Sequence, residues 1–164
     1  PDLAENWFKR ALVHAPAHQE AFQGLIETYC QLENSTGEKA SYVSYLELRP
    51  DDVSSRTRYI HLLLEGEEYE KAAEQIETAL AYKNEDKDLT RLLAFCYRNV
   101  ERYREAAVIY RSLLKDTPEN EDLLRALCFC LEASGNRKTA VSLLGKALAT
   151  FLLVIAAYYF YTSG

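Results

Sequence analysis

Proline and glycine are scarce, four and six in 164 residues, which excludes the turn-dense pattern of an all-β chain. Basic residues are in deficit, 19 against 25 acidic, for a net charge of −6. A nucleic-acid binder displaces counterions with surplus Lys and Arg, so this balance argues against nucleic acid and against anionic membrane surfaces. Cysteines number only four, Cys30, Cys96, Cys128 and Cys130, and no CxxC pair occurs. They read as small buried thiols in a reducing, cytoplasmic compartment, a metal or redox site being the alternative. Catalytic signatures are missing as well: there is no phosphate-cradling Gly-rich loop, no GxSxG and no HExxH. What is abundant forms helices. Ala, Leu, Glu, Lys and Arg dominate, and 48% hydrophobic with 27% charged residues is the balance of a folded core.

The apolar residues recur on a fixed ruler. Pro16, Pro50 and Pro118 fall on one grid of 34 residues, whose skipped mark is Asn84. Upstream of each mark runs one phrase: Ala4, Phe8, Ala11, Leu12; then Ala72, Ile76, Ala79, Leu80; then Ala106, Tyr110, Leu113, Leu114; then Ala140, Leu144, Ala147, Leu148. Downstream runs another, carried by Phe22, Leu25, Tyr29; by Tyr59, Leu63; by Leu93, Ala94, Tyr97; and by Leu124, Leu127, Cys128, Leu131. Spacings of three and four place each phrase on one stripe of an α-helix. Every 34 residues therefore supply two amphipathic helices, and neighbouring pairs must stack to bury both apolar faces. Ala72, Ala106 and Ala140 are expected where the two helices of a pair cross, since a longer side chain would push the axes apart. Helices are predicted over 2–15, 19–32, 37–48, 53–65, 69–82, 87–99, 103–115, 121–134 and 137–148, with turns at 34–37, 65–68, 99–102 and 134–136.

This period, with its paired phrases and closing proline, resembles the tetratricopeptide repeat family over about residues 1–149. The resemblance implies an all-α fold, a right-handed superhelical stack of antiparallel helix pairs. Residues 19–52, 53–86, 87–120 and 121–149 would be full repeats within a single array over 1–164. Residues 1–18 would be the second helix of a truncated repeat, so the chain is expected to be a piece of a longer array. Arg56 and Thr90 depart from the family pattern, standing where a large apolar residue is usual. Glu38 stands where a small Ala is expected, with Ala40 two places on, so that pair is expected to pack less tightly.

Candidate chemistry is thin. His14 and His18 have the spacing of a metal pair, but Pro16 between them breaks the helix and the shared face. His61 has no nucleophile or carboxylate partner that sequence can supply. Glu67, Glu68, Glu70 and Glu74, mixed with Lys71, read as a solvated helix face. Cys96 and Cys130 occupy one slot in successive repeats, too far apart for a disulfide without distortion, and read as packing residues. No catalytic residue, cofactor or metal is predicted.

The family resemblance instead implies a partner-binding groove along the first helices. Carried over by register, its residues are Gln23, Glu27 and Cys30; Thr57, His61 and Leu64; Arg91, Phe95 and Arg98; and Arg125, Phe129 and Glu132. Phe95 and Phe129 either anchor a peptide or tuck into the stacking interface, and the arginines either read carboxylates or are merely solvated. The chaperone-binding clamp of some family members is absent, because Glu27, His61, Phe95 and Phe129 fill its asparagine position. The reading is a non-enzymatic protein–protein interaction scaffold that holds a protein or peptide in the groove. A substrate-recruiting or regulatory arm of a larger enzyme is the alternative. An RNA-binding helical repeat of the pentatricopeptide type fits less well, its period being about one residue longer. Finally, residues 147–161 carry no charge and are hydrophobic all round a helix. Fifteen residues rise only about 22 Å, short of a membrane span. Residues 150–164 are expected to be an apolar terminal helix, or the first helix of a further repeat. It would be covered by pairing with a second copy as a homodimer or by folding back on the stack.

Overall fold

The computed structural model describes residues 2–15, 18–83, 85–146 and 148–149. All its regular structure there is helical: α1 (Asp2–His14), α2 (Gln19–Gln31), α3 (Ser35–Leu48), α4 (Val53–Glu65), α5 (Tyr69–Tyr82), α6 (Lys87–Asn99), α7 (Tyr103–Asp116) and α8 (Glu121–Ala133), followed by a ninth helical stretch from 137. Pro16, Asn84, Ala147 and the apolar tail from 150 onward, with the homodimer expectation it carries, lie outside the described residues. Among the described residues no helix is long and apolar enough to cross a membrane. The contacts divide the chain into two compact bodies, residues 1–89 and 90–164, with the division inside α6.

The 34-residue ruler becomes visible in the hydrogen bonds. The helices that open each pair, α2, α4, α6 and α8, begin after His18, Asp52, Asp86 and Asn120, one residue every 34. Each of these side chains accepts the backbone N–H three residues on, at 3.3, 3.0, 3.1 and 3.0 Å respectively. Such caps satisfy one of the donors that a helix start leaves orphaned. The same helices end alike. The N–H groups of Asn34, Glu68, Arg102 and Asn136 reach back to the carbonyls of Tyr29, Leu63, Tyr97 and Leu131 at 2.9, 2.9, 2.8 and 2.7 Å. This six-to-one closure requires the preceding residue to be left-handed. Those residues are Glu33, Glu67, Glu101 and Gly135, with φ of 51, 56, 60 and 84°.

In the N-terminal body, α1 packs on α2, α2 on α3, α3 on α4 and α4 on α5. Ile60 and Leu63 of α4 and Ile76 of α5 are fully buried, and Ala72 of α5 has no exposure. Aromatic rings fill the wider gaps: Phe22 meets Tyr45 at 5.5 Å, and Tyr42 stacks on Tyr59 at 5.9 Å. The Tyr45 hydroxyl donates to Asp52 Oδ2 at 2.9 Å, tying α3 to the cap of α4. Burial alone would raise the Asp52 carboxyl, but the bonds it accepts from Ser55 and Tyr45 hold it below its ordinary value.

Two sequence expectations need correction here. The small residue at the α2–α3 crossing is Gly37, while Ala40 is exposed. A Cβ on Gly37 would come within 2.7 Å of the Tyr29 ring, so the close approach is made one residue before Glu38. Helix α3 starts at Ser35, two residues earlier than predicted, because the Asn34 side chain caps it through Gly37 N–H at 3.0 Å. Glu38 is left half-buried, and burial, with Glu65 nearby, pushes its carboxyl up.

Arg56 occupies the slot of the expected apolar residue and is itself only 5% exposed. Its Nη atoms donate to Gln75 Oε1 at 2.5 Å and to the Pro50 carbonyl at 2.8 Å.

In the C-terminal body, α7 packs on α8. Ala106 on α7 is 0% exposed, and Tyr110 is buried with it. Cys96 on α6 and Cys130 on α8 are fully buried, and both lie close enough to Tyr110 to perturb its hydroxyl. Burial pushes the Cys96 thiol up to about 11, which keeps it protonated and unreactive. Cys128 is also buried, its thiol 3.9 Å from the Ala140 carbonyl. Cys30 is the exception to the buried-thiol reading, for it is exposed on α2.

Candidate partner-binding face

Each first helix turns one stripe into its body and leaves the opposite stripe out. On α2, Phe22, Leu25 and Tyr29 are buried, whereas Gln23, Glu27 and Cys30 are all exposed. On α4, Tyr59, Ile60 and Leu63 are buried and His61 is exposed. Thr57 and Leu64 are half-buried there, and the Thr57 hydroxyl is used by the Val53 carbonyl at 2.8 Å. The stripe of the N-terminal body is therefore polar and mostly uncharged, with Glu27 its one acid among the predicted positions.

The C-terminal body differs in chemistry. Arg91, Phe95 and Arg98 share a stripe of α6 at spacings of four and three. Phe95 and Arg98 are half-buried, with the guanidinium carbon 5.2 Å from the ring centroid. That distance is within cation–π reach, so the ring partly dehydrates the charge and fixes where it sits. The same charge draws the Cys130 thiol and the Tyr110 hydroxyl back down against burial, the larger effect on each. Neither Arg91 nor Arg98 pairs with a carboxylate among the described residues.

On α8, Arg125 meets Asp122 only at 3.9 Å with both side chains well exposed, a pair worth little. Glu132 is similarly loose against Arg137 at 3.9 Å. Phe129 combines both sequence readings. Its ring meets Tyr103 of α7 edge-on at 5.9 Å, yet 53% of the residue remains exposed. Tyr103 is a contributor the sequence reading missed. The available signal was Tyr69, which opens α5 as Tyr103 opens α7, 34 residues apart.

Other candidates have structural work. His18 caps α2, and His14 is exposed at the end of α1. Glu67, Glu70 and Glu74 are exposed as expected of a solvated face. Glu68 is half-buried, accepting from Lys39 of α3 and from Lys71 at 2.7 Å. The Lys39 bond, then the Lys71 bond, hold its carboxyl at about 2. Among the described residues no group of three or more His, Cys, Asp or Glu side chains could hold a metal ion.

Comparison with known proteins agrees with this architecture. A tetratricopeptide repeat model matches residues 28–151. A MamA crystal structure is 20% identical over 90% of this chain and 81% of its own, with a TM-score of 0.65. A MamA MSR-1 structure is 17% identical over 88% and 87%, with a TM-score of 0.66. MamA 41-end from Desulfovibrio magneticus RS-1 is 19% identical over 90% and 93%, with a TM-score of 0.59. Identities this low speak to the fold alone. No curated protein matches the chain.

Proposed function

Because this chain belongs to the tetratricopeptide repeat family, we propose that it is a non-enzymatic scaffold holding a protein or peptide partner against the outward stripes of its first helices. The observation that carries the reading is Phe129. A large aromatic ring propped by Tyr103 and left half in water is a ready apolar anchor. Arg125 precedes it by one helical turn on α8, and both aromatic residues and Arg are enriched where partners bind.

The stripe and the opposite surface can be told apart by placing a photocrosslinking amino acid at Phe129 or at Val108, an exposed apolar residue on α7. A partner should crosslink from position 129 and not from 108. Crosslinking from 108 alone would overturn the reading. Once the partner is isolated, the double change Arg91→Ala with Arg125→Ala should weaken it about tenfold, as expected for two lost solvent-exposed charge pairs of roughly 0.2–1 kcal/mol each. The circular dichroism spectrum should stay that of the parent, since both side chains are exposed.

A further inference from the structure

We propose that the C-terminal body takes an acidic peptide segment, with Arg98 on Phe95 as the charge that meets a partner carboxylate and Phe129 as the neighbouring apolar contact. The proposal rests on the stripe reading above and adds the partner's chemistry to it.

Three guanidinium groups, Arg91, Arg98 and Arg125, face outward from α6 and α8 in a chain whose net charge is −6. With acids in surplus, a cation left without a carboxylate is one the chain's own acids do not neutralise, and Arg91 and Arg98 are both of this kind among the described residues. Arg98 is also the one already part-dehydrated, half-buried and seated on the Phe95 ring. Stacking occupies the face of a guanidinium and leaves its edge, where the N–H donors lie, free to bind a carboxylate in two-point fashion. The position is fixed before a ligand arrives, so less side-chain entropy is lost on binding.

Geometry sets the spacing of the ligand. Arg91 and Arg98 are two helical turns apart, about 10 Å along α6. A peptide in the polyproline II conformation rises about 3.1 Å per residue with three residues per turn, so two carboxylates three residues apart lie on one face and span about the same distance. The N-terminal body, whose stripe offers Gln23, Glu27, Thr57 and His61, has no matching arginines at these positions.

The test uses the whole chain and fluorescein-labelled peptides followed by anisotropy at low and at physiological salt. One peptide carries two glutamates three residues apart with a leucine between them. Its companions replace both glutamates by glutamine, replace both by lysine, or set them side by side. The spaced acidic peptide should bind, its affinity falling with salt, and the glutamine version should be at least tenfold weaker. Arg98→Gln should lose most of this affinity, Arg98→Lys should recover part of it, and Val43→Ser on α3 should change nothing. Equal binding of the glutamate and glutamine peptides, or binding of neither, overturns the proposal, and these arms need no variant to fold. A natural partner that crosslinks at 129 yet binds Arg98→Gln as tightly as the parent also overturns it, while leaving the stripe reading in place. Crosslinking at 108 alone removes both.

Discussion

Arg56 fills a core position with a guanidinium, and what holds it there is neutral: an amide oxygen and a backbone carbonyl. Its Nε has no partner, and burial draws the group's pKa below its ordinary value. A buried cation so placed contributes shape as much as charge, because its methylene stem packs like that of an apolar residue. Arg56→Met should therefore leave urea stability within about 1.5 kcal/mol of the parent, whereas Arg56→Ala should cost about 2–5 kcal/mol through the cavity it opens. A sequence reading can see that Arg56 breaks the pattern but cannot see that Gln75 and the Pro50 carbonyl accept its hydrogen bonds. Glu68 makes the opposite case, a surface acid whose partners come from two helices. Its carboxyl sits at about 2 against an ordinary 4.5, and a depressed acid stabilises the fold above its unfolded value and loses that contribution as pH falls toward the folded one. The melting-temperature gap between the parent and Glu68→Gln should be open at pH 7, shrink below about pH 4.5 and close near pH 2, as thermal melts across that range would record.

The elements were legible because their boundaries repeat. Helices α4, α5 and α6 begin and end where the apolar phrases predict, and α3 is missed by two residues because the cap at Asn34 outweighs Gly37 as a boundary signal. Ala106→Leu puts a branched side chain into a position with no exposure and should destabilise by about 1–3 kcal/mol in chemical denaturation. Less legible were the turns. A left-handed residue is needed at 33, 67, 101 and 135, and only the last is glycine. For an L-residue that conformation costs about 1–2 kcal/mol, offset in part by the chain entropy that glycine loses on folding. Glu67→Gly should thus stabilise by about 0.5–1 kcal/mol, and Gly135→Ala should destabilise by about 1 kcal/mol although nothing crowds its side chain. Equal stability of parent and variants in urea titrations would show that the turns relax.

At the scale of the molecule, charge and period speak to different questions. The period identifies a helical repeat chain, and the net charge of −6 weighs against nucleic acid as its partner. Filter binding at about 0.15 M salt should retain no single-stranded RNA, and micromolar retention would revive the rival helical-repeat reading. The candidate face was only half legible. Register placed Phe129 and the arginines outward, but the ring of Tyr103 under Phe129 and the seat of Arg98 on Phe95 depend on packing that spacing does not encode. The left-handed glutamates that follow α2, α4 and α6 have one more implication, and it concerns the gene. Every glutamate codon becomes a glycine codon by a single purine transition at its middle base. Random mutagenesis followed by a heat challenge should therefore recover these turns among its earliest gains, each independent of the others, without touching either the core or the arginine stripe.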